Sequence, residues 1–220
     1  MNISTDFGYI ENKIKEEALQ IYQGGSRSHS WDHIERVYSL AVHIGGIEGA
    51  DLRVVKLAAI LHDIGREEET RNNGRICHAV RGAAMASEIL RKNVRDEEFI
   101  ARVAHCIATH RFRTENRPQT LEAKIIFDAD KLDSIGAVGI GRSFLFAGEV
   151  GAKLHNHKKT DISKTESYSI EDTAYREFNV KLKDVHGRML TAEGKRLADG
   201  RHRFMLDFFE RLHQEIEGIK

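Results

Sequence analysis

Five histidine and aspartate side chains fall on the apolar faces of predicted helices, so their polar groups need partners. They are His33, His62, His78, His110 and Asp130. One buried imidazole usually bonds to a backbone carbonyl, but a buried carboxylate needs a positive partner because an unpaired charge in a protein core is strongly disfavoured. A divalent cation satisfies several such groups at once. The pattern therefore predicts a metal site.

The adjacent pair His62-Asp63 follows the apolar run LAAIL. Neighbouring side chains on a helix diverge by about 100°, so both reach one ion only near a helix end. Ile64 and Gly65 supply that end. Mixed imidazole and carboxylate ligands suit Mn²⁺, Fe²⁺, Co²⁺, Ni²⁺ or Mg²⁺ with open positions, whereas a closed structural zinc site would use thiolates. Open positions indicate catalysis.

Helices must place these side chains. Apolar residues recur at intervals of three and four along the chain, and strict alternation is nearly absent, which predicts an all-α fold. The predicted helices are 8–23, 31–47, 51–64, 77–92, 96–110, 120–134, 137–150, 170–185 and 191–217. Asp51, Asp96 and Thr120 precede three of them as capping residues. We expect a compact, single-domain helical bundle.

The length of 220 residues requires no second domain. We therefore predict one domain over 1–220, with a helical core at about 8–150 and C-terminal helices at 170–217. The intervening segment 152–169 is polar and lacks periodicity. It is predicted to be a long surface loop, either a lid over the site or an insertion without function.

The charge balance bears on the choice of partner. Lysine plus arginine and aspartate plus glutamate are equal at 34 each, so no global field favours nucleic acid or an anionic membrane. No stretch of about 18 apolar residues occurs, and the N-terminus carries charges where a secretory signal needs an apolar core. We expect a cytoplasmic protein with a small-molecule partner and neither nucleic acid nor membrane. A homodimer is left open.

Several segments carry a resemblance to a known family. They are SHSWDHIERV at 28–37, LHDIG at 61–65, HAVRGA at 78–83, ATHRF at 108–112 and DADKLD at 128–133. Together they resemble the HD-domain superfamily of metal-dependent phosphohydrolases, in particular its small bacterial and archaeal single-domain subgroup. The resemblance implies that His33, His62, Asp63 and Asp130 bind the metal. It also implies hydrolysis of phosphate ester or anhydride bonds, often in nucleotides.

The expected activity is release of phosphate or pyrophosphate from a nucleotide by metal-activated water. We expect one tightly bound ion, with Mn²⁺ favoured and Mg²⁺, Fe²⁺, Co²⁺ and Ni²⁺ as alternatives. His78 and His110 either contact the substrate or hold a second, weaker ion, as the corresponding histidines do in binuclear relatives. The alternatives are a phosphodiesterase acting on cyclic or linear dinucleotides, a binuclear iron oxygenase, and a nucleotide-binding module without turnover.

Further residues are candidates for roles around the metal. Asp63 is assigned a catalytic role besides its role as a ligand, and His78 and His110 are substrate-binding candidates. The remaining catalytic candidates are Arg36, Glu67, Lys131 and Asp133, and the remaining substrate-binding candidates are His29 and Arg142. The arginines and the lysine could equally be surface cations, with Arg36 paired to Asp32 four residues earlier.

Two sets of polar residues are assigned no such role. His43, His186, His202 and His213 are interpreted as surface residues. Asp128 lies on a mixed helix face, which indicates a structural or a solvated carboxylate.

Overall fold

The computed structural model describes residues 7–22, 31–111 and 116–220. Within these ranges the regular structure is helical, and no strand occurs, which confirms the all-α prediction. The α-helices are α1 Phe7–Tyr22, α2 Trp31–Glu48, α3 Leu52–Leu61, α4 Arg66–Arg71, α5 His78–Arg91, α6 Glu97–Thr109, α7 Leu121–Leu132, α8 Gly136–Glu149, α9 Ala174–Val180 and α10 Ala192–Ile216. None of the described helices is both long and apolar enough to cross a membrane.

Most of the predicted helices agree with the structure to within about three residues, but one predicted helix is wrong and one helix was not predicted. The helix predicted at 170–185 is the short α9, which begins after the capping residue Thr173 and ends at Lys181, where φ is −143° and ψ is −54°. Two 3₁₀ turns then follow, at Leu182–Asp184 and His186–Arg188. The short helix α4 was not predicted, because its sequence, REEETR, has no apolar stripe.

Contacts between Cα atoms divide the chain into two compact units, 1–130 and 131–220. The prediction of one domain over 1–220 stays a prediction. In the first unit α3 is the central helix, and it packs against α1, α2 and α6. Its side chains are buried at Val54, Val55 and every position from 57 to 61. This burial fixes the end of α3, where His62 and Asp63 follow.

In the second unit α8 packs against α9 and α10. The segment 152–169 consists mainly of turns with one 3₁₀ helix, Ile162–Lys164. The buried Arg176 of α9 anchors the end of this segment. Its Nη2 donates to the carbonyl oxygen of Thr165 at 2.7 Å, and its Nη1 donates to Asp172 Oδ1 at 2.7 Å. Asp172 also accepts the backbone N–H of Tyr168 at 2.7 Å.

Candidate metal centre

Six histidine and aspartate side chains from different helices converge in the first unit. They are His33 of α2, His62 and Asp63 after α3, His78 at the start of α5, His110 after α6, and Asp130 of α7. The four imidazoles and Asp63 are at most 2% exposed, and Asp130 is 16% exposed. The structure thus places inward the five side chains that the helical periodicity predicted to face inward.

The first group consists of His33, His62 and Asp130, whose potential ligand atoms all lie within 4.8 Å of one another. Nε2 of His33 lies 3.2 Å from Nε2 of His62 and 3.6 Å from Oδ1 of Asp130. The chain brings these atoms together because α2 runs alongside α3. Two imidazole nitrogens and a carboxylate oxygen form a donor set that suits a divalent transition metal.

The second group consists of Asp63, His78 and His110, whose potential ligand atoms also lie within 4.8 Å of one another. Nε2 of His78 lies 3.2 Å from Nε2 of His110. These nitrogens are 3.3 and 3.4 Å from Oδ1 of Asp63. The other oxygen, Oδ2, is 3.8 Å from Nε2 of His33 and 3.9 Å from Nε2 of His62. The Asp63 carboxylate therefore lies between the two groups and turns one oxygen toward each.

Hydrogen bonds at Nδ1 orient the imidazoles of His62 and His110. Nδ1 of His62 contacts the carbonyl oxygen of Ala59 at 2.8 Å, and Nδ1 of His110 contacts that of Ile107 at 2.7 Å. Each histidine is the C-cap of its helix, where the last carbonyls lack helical partners. A carbonyl oxygen can only accept, so Nδ1 carries the proton, and a neutral ring then presents a lone pair at Nε2.

The charge of these rings follows from their burial. Burial lowers the pKa of His62 to about 4 and, likewise, that of His78 to about 4. Both rings are therefore neutral at pH 7. Nε2 of His78 faces Nε2 of His110 and Oδ1 of Asp63, and the three atoms lie 3.2 to 3.4 Å apart. This convergence of electron-rich atoms fits a bound cation.

Two residues around the second group were not predicted from the sequence. Nη2 of Arg66 donates to both oxygens of Asp63, at 2.9 and 3.1 Å. Glu69 Oε2 accepts from Nδ1 of His78 at 2.7 Å. The position of Arg66, three residues after Asp63 on the next helical turn, was a usable signal. Glu69 stands in the run Glu67-Glu68-Glu69 of a helix without an apolar face, so no periodicity singled it out.

Close backbone approach brings the turn at 62–65 against α5. A Cβ atom added to Gly65 would lie 2.5 Å from the carbonyl oxygen of His78 and 2.7 Å from the backbone nitrogen of Gly82. Conversely, a Cβ added to Gly82 would lie 3.3 Å from the nitrogen of Gly65. The two glycines therefore let Asp63 and His78 come within bonding reach of a shared ion.

Of three further candidates of the first unit, Arg36 and Glu67 form ion pairs outside the two groups. Arg36 pairs with Asp32 at 2.6 Å, as in the surface alternative considered above. Glu67 pairs with Arg71 at 2.5 Å on the outer side of α4. His29 lies outside the described residues. Catalytic or substrate-binding roles for these three stay predictions.

The other candidates belong to the second unit. Asp133 is 1% exposed, and Nη1 of Arg142 donates to its Oδ2 at 2.6 Å and to its carbonyl oxygen at 3.3 Å. Lys131 is half-buried. Their proposed roles in catalysis and substrate binding stay predictions.

In the first unit Asp128 is completely buried, so the solvated alternative for this carboxylate is wrong.

The histidines interpreted as surface residues divide into two kinds. His43 is exposed, as predicted, whereas His186, His202 and His213 are half-buried. The rings of His186 and His202 stack with centroids 3.9 Å apart, and His213 meets the ring of Tyr175 edge-on at 4.2 Å. These contacts explain the partial burial, because ring stacking covers apolar faces that the polarity of histidine does not reveal.

Comparison with known proteins agrees with this geometry. The sequence model of the HD-domain family matches residues 30–135, and this range includes all six converging side chains. The protein YpgQ of Bacillus subtilis is 36% identical to the chain over 214 residues, which cover 94% of each sequence. The chain belongs to the HD-domain superfamily.

Solved structures show the same relationship in three dimensions. A crystal structure of Bacillus subtilis YpgQ in complex with ADP superposes with a TM-score of 0.73 and 32% identity, and covers 97% of this chain and 98% of that one. An HD-superfamily hydrolase from Bacillus thuringiensis gives a TM-score of 0.76 and 26% identity, with 96% and 98% covered. These neighbours support a hydrolase class for the chain.

Proposed function

We propose that this protein is a divalent-metal-dependent phosphohydrolase that releases phosphate or pyrophosphate from a nucleotide. The observation that carries the proposal is the position of Asp63 between two groups of imidazole and carboxylate ligands. The ADP bound in the YpgQ crystal structure supports a nucleotide as the substrate class. Among the candidate ions we favour Mn²⁺, with Mg²⁺, Fe²⁺, Co²⁺ and Ni²⁺ as alternatives.

His33, His62 and Asp130 would hold one ion, with Asp63 completing the set that the family resemblance implies. Asp63, His78 and His110 would hold a second. When bound, such a cation lowers the pKa of water and polarises a phosphoryl oxygen. Ligand atoms are 3.2 and 3.6 Å apart in the first group and 3.2 to 3.4 Å apart in the second. This similar spacing supports two ion positions rather than one ion with two substrate-binding histidines.

The side chains nearest to these ion positions orient the ligands and balance their charge. Arg66 fixes both oxygens of Asp63, and its side chain is 28% exposed, so we assign to it a further role in binding a phosphoryl oxygen. The neutral His62 and His78 leave their Nε2 lone pairs available as ligands at pH 7. The burial of both groups keeps bulk water away, which strengthens electrostatic interactions with a phosphate.

The sharing of Asp63 also favours a second candidate function, a phosphodiesterase that acts on linear or cyclic dinucleotides. Ions held by both groups would suit an in-line displacement, because two cations can stabilise both the attacking and the leaving oxygen. The oxygenase alternative requires iron at both groups. Absorbance spectra of the iron-loaded protein test that alternative directly.

One experiment separates these functions. The purified chain is incubated with Mn²⁺ and a panel of nucleoside mono-, di- and triphosphates and dinucleotides, and phosphate and pyrophosphate are measured separately. We expect release from a nucleotide that stops on chelation and in His62→Ala, while the matched variant His43→Ala, on the exposed side of α2, stays active. Release of neither product from any mononucleotide would contradict the leading proposal, and cleavage of a dinucleotide alone would favour the phosphodiesterase.

A further inference from the structure

The carboxylate of Glu69 contacts His78 and also Arg111, the neighbour of His110 in the chain. Its Oε2 accepts from Nδ1 of His78 at 2.7 Å and from Nη1 of Arg66 at 3.4 Å. Its Oε1 accepts from Nη1 of Arg111, the residue that follows His110. Glu69 is only 12% exposed. A carboxylate held on both oxygens at this depth has a defined position, since each contact restricts its rotation.

His78 differs in this respect from two other imidazoles of the centre. His62 and His110 donate from Nδ1 to the backbone carbonyls of Ala59 and Ile107. His78 instead faces an anionic carboxylate of Glu69. An anionic acceptor attracts the Nδ1 proton more strongly than a carbonyl does, which makes Nε2 a more basic metal ligand. His78 therefore differs from His62 and His110 in the partner of its Nδ1.

Arg66 and Arg111 explain how the chain keeps a carboxylate beside His78 without adding a net negative charge. Arg66 also grips Asp63, so one guanidinium connects the shared ligand with Glu69. An unpaired buried carboxylate would be costly and could itself compete as a ligand. With its oxygens committed to two guanidinium groups and one imidazole, Glu69 orients His78 rather than replacing it.

We propose that Glu69 is a positioning residue for the second group. It holds His78 with the proton on Nδ1 and with Nε2 toward Asp63, and it thereby sets the affinity of the second cation without contacting the first group. This inference rests on the two ion positions of the proposed function. Glu69 is not one of the six side chains that would hold the two ions.

The variant Glu69→Gln tests the role, because it keeps the shape of the side chain and removes its charge. Loss of an outer-shell carboxylate typically weakens metal affinity by about 10- to 100-fold, and we expect that loss for the second cation only. Glu68→Gln is the matched control. Glu68 lies on the same helix and pairs with Arg81 at 2.6 Å, so this variant should bind both cations as the wild type does.

The measurement is a titration of the metal-free chain with Mn²⁺ by calorimetry and electron paramagnetic resonance. In the wild type we expect two ions per chain and, at saturation, the signal of an exchange-coupled pair bridged by Asp63. In Glu69→Gln one ion should bind with unchanged affinity and give the signal of isolated Mn²⁺, and the pair should form only at about 10- to 100-fold higher concentration. His78→Gln should show the same pattern in stronger form.

Three outcomes would overturn the inference. They are an unchanged second affinity in Glu69→Gln, an equal loss at both positions, and a wild type that takes up a single ion. Circular dichroism verifies that the variant is folded, and Glu69→Asp provides a second variant that keeps the charge and should lose less affinity than Glu69→Gln. Phosphate release is assayed separately. A chain that binds metal as expected but hydrolyses no nucleotide would refute the proposed function and leave the role of Glu69 standing.

Discussion

Replacement of Gly65 by alanine would push the turn at 62–65 away from the first residues of α5. The new Cβ would lie 2.5 Å from the carbonyl oxygen of His78 and 2.7 Å from the nitrogen of Gly82, whereas ordinary contacts of a Cβ atom are 3.4 to 4 Å. Both neighbours are backbone atoms, so no side-chain rotation relieves the overlap. The backbone of α5 must therefore move by close to 1 Å relative to the turn.

This displacement has two measurable consequences. Overpacking of a close contact typically costs about 1–3 kcal/mol. For a chain of this size, a loss of that magnitude lowers the melting temperature by roughly 2–12 °C. His78 begins α5, so the shift also separates its Nε2 from Asp63. Metal–ligand distances tolerate only about 0.2 Å. The second cation should therefore be lost while the first is retained.

The matched variant is Gly46→Ala in α2. A Cβ atom at Gly46 would meet nothing within 4 Å, and alanine in a helix is more stable than glycine by about 0.5–1 kcal/mol. Thermal unfolding of both metal-free variants, followed by titration with Mn²⁺, should show opposite shifts in melting temperature and a loss of the second cation in Gly65→Ala alone. A Gly65→Ala chain as stable as the wild type, with both cations bound, would refute this account of the turn.

Three further changes test other parts of the structure. Asp63→Asn removes the charge between the two groups, and we expect loss of bound Mn²⁺ and of phosphate release with unchanged helix content by circular dichroism; a variant with wild-type turnover would contradict the assignment. His62 and His78 have pKa values of about 4 in the folded chain against 6.5 for the free side chain, so the unfolded chain binds more protons between these values. As the pH falls from 6.5 to about 4, the metal-free protein should lose about 3 kcal/mol of stability per histidine. The free energy of unfolding is measured in urea, and equal values at pH 7 and pH 4.5 would contradict neutral buried rings. Arg176→Met leaves Asp172 as a buried uncompensated charge and should cost about 3–5 kcal/mol, whereas addition of Asp172→Leu should recover part of the loss in the same urea assay.

Periodicity could locate the site because its members stand on amphipathic helices. His33, His78 and His110 share stripes with apolar residues of their helices, and the structure buries all three. The same reasoning placed Asp130 inward. The periodic pattern did not reveal that the side chains form two groups, since that division depends on the direction in which each Asp63 oxygen points. Such a direction depends on tertiary packing, which a single sequence does not encode in any local pattern.

The errors in the predicted helices concern short elements. α4 has the sequence REEETR and no buried residue, so it carries no period to detect, although Arg66 and Glu69 both stand on it. The helix predicted at 170–185 combined α9 with the 3₁₀ turn at Leu182–Asp184, because the buried Leu182 and Val185 follow at nearly helical spacing. For Asp128 only the solvated alternative is wrong, since the residue is buried, and a mixed helix face says little about which neighbour covers it.

The anchoring of segment 152–169 by Arg176 also affects how that part of the second unit can open. Thr165 and Asp172 both bond to a guanidinium that belongs to α9, so the stretch between them cannot detach while α9 keeps its place. Residues 165–172 should exchange their amide hydrogens in a single cooperative step together with α9 rather than by independent local fluctuations. A stretch that looks like a free loop in the sequence would then share the opening free energy of a helix.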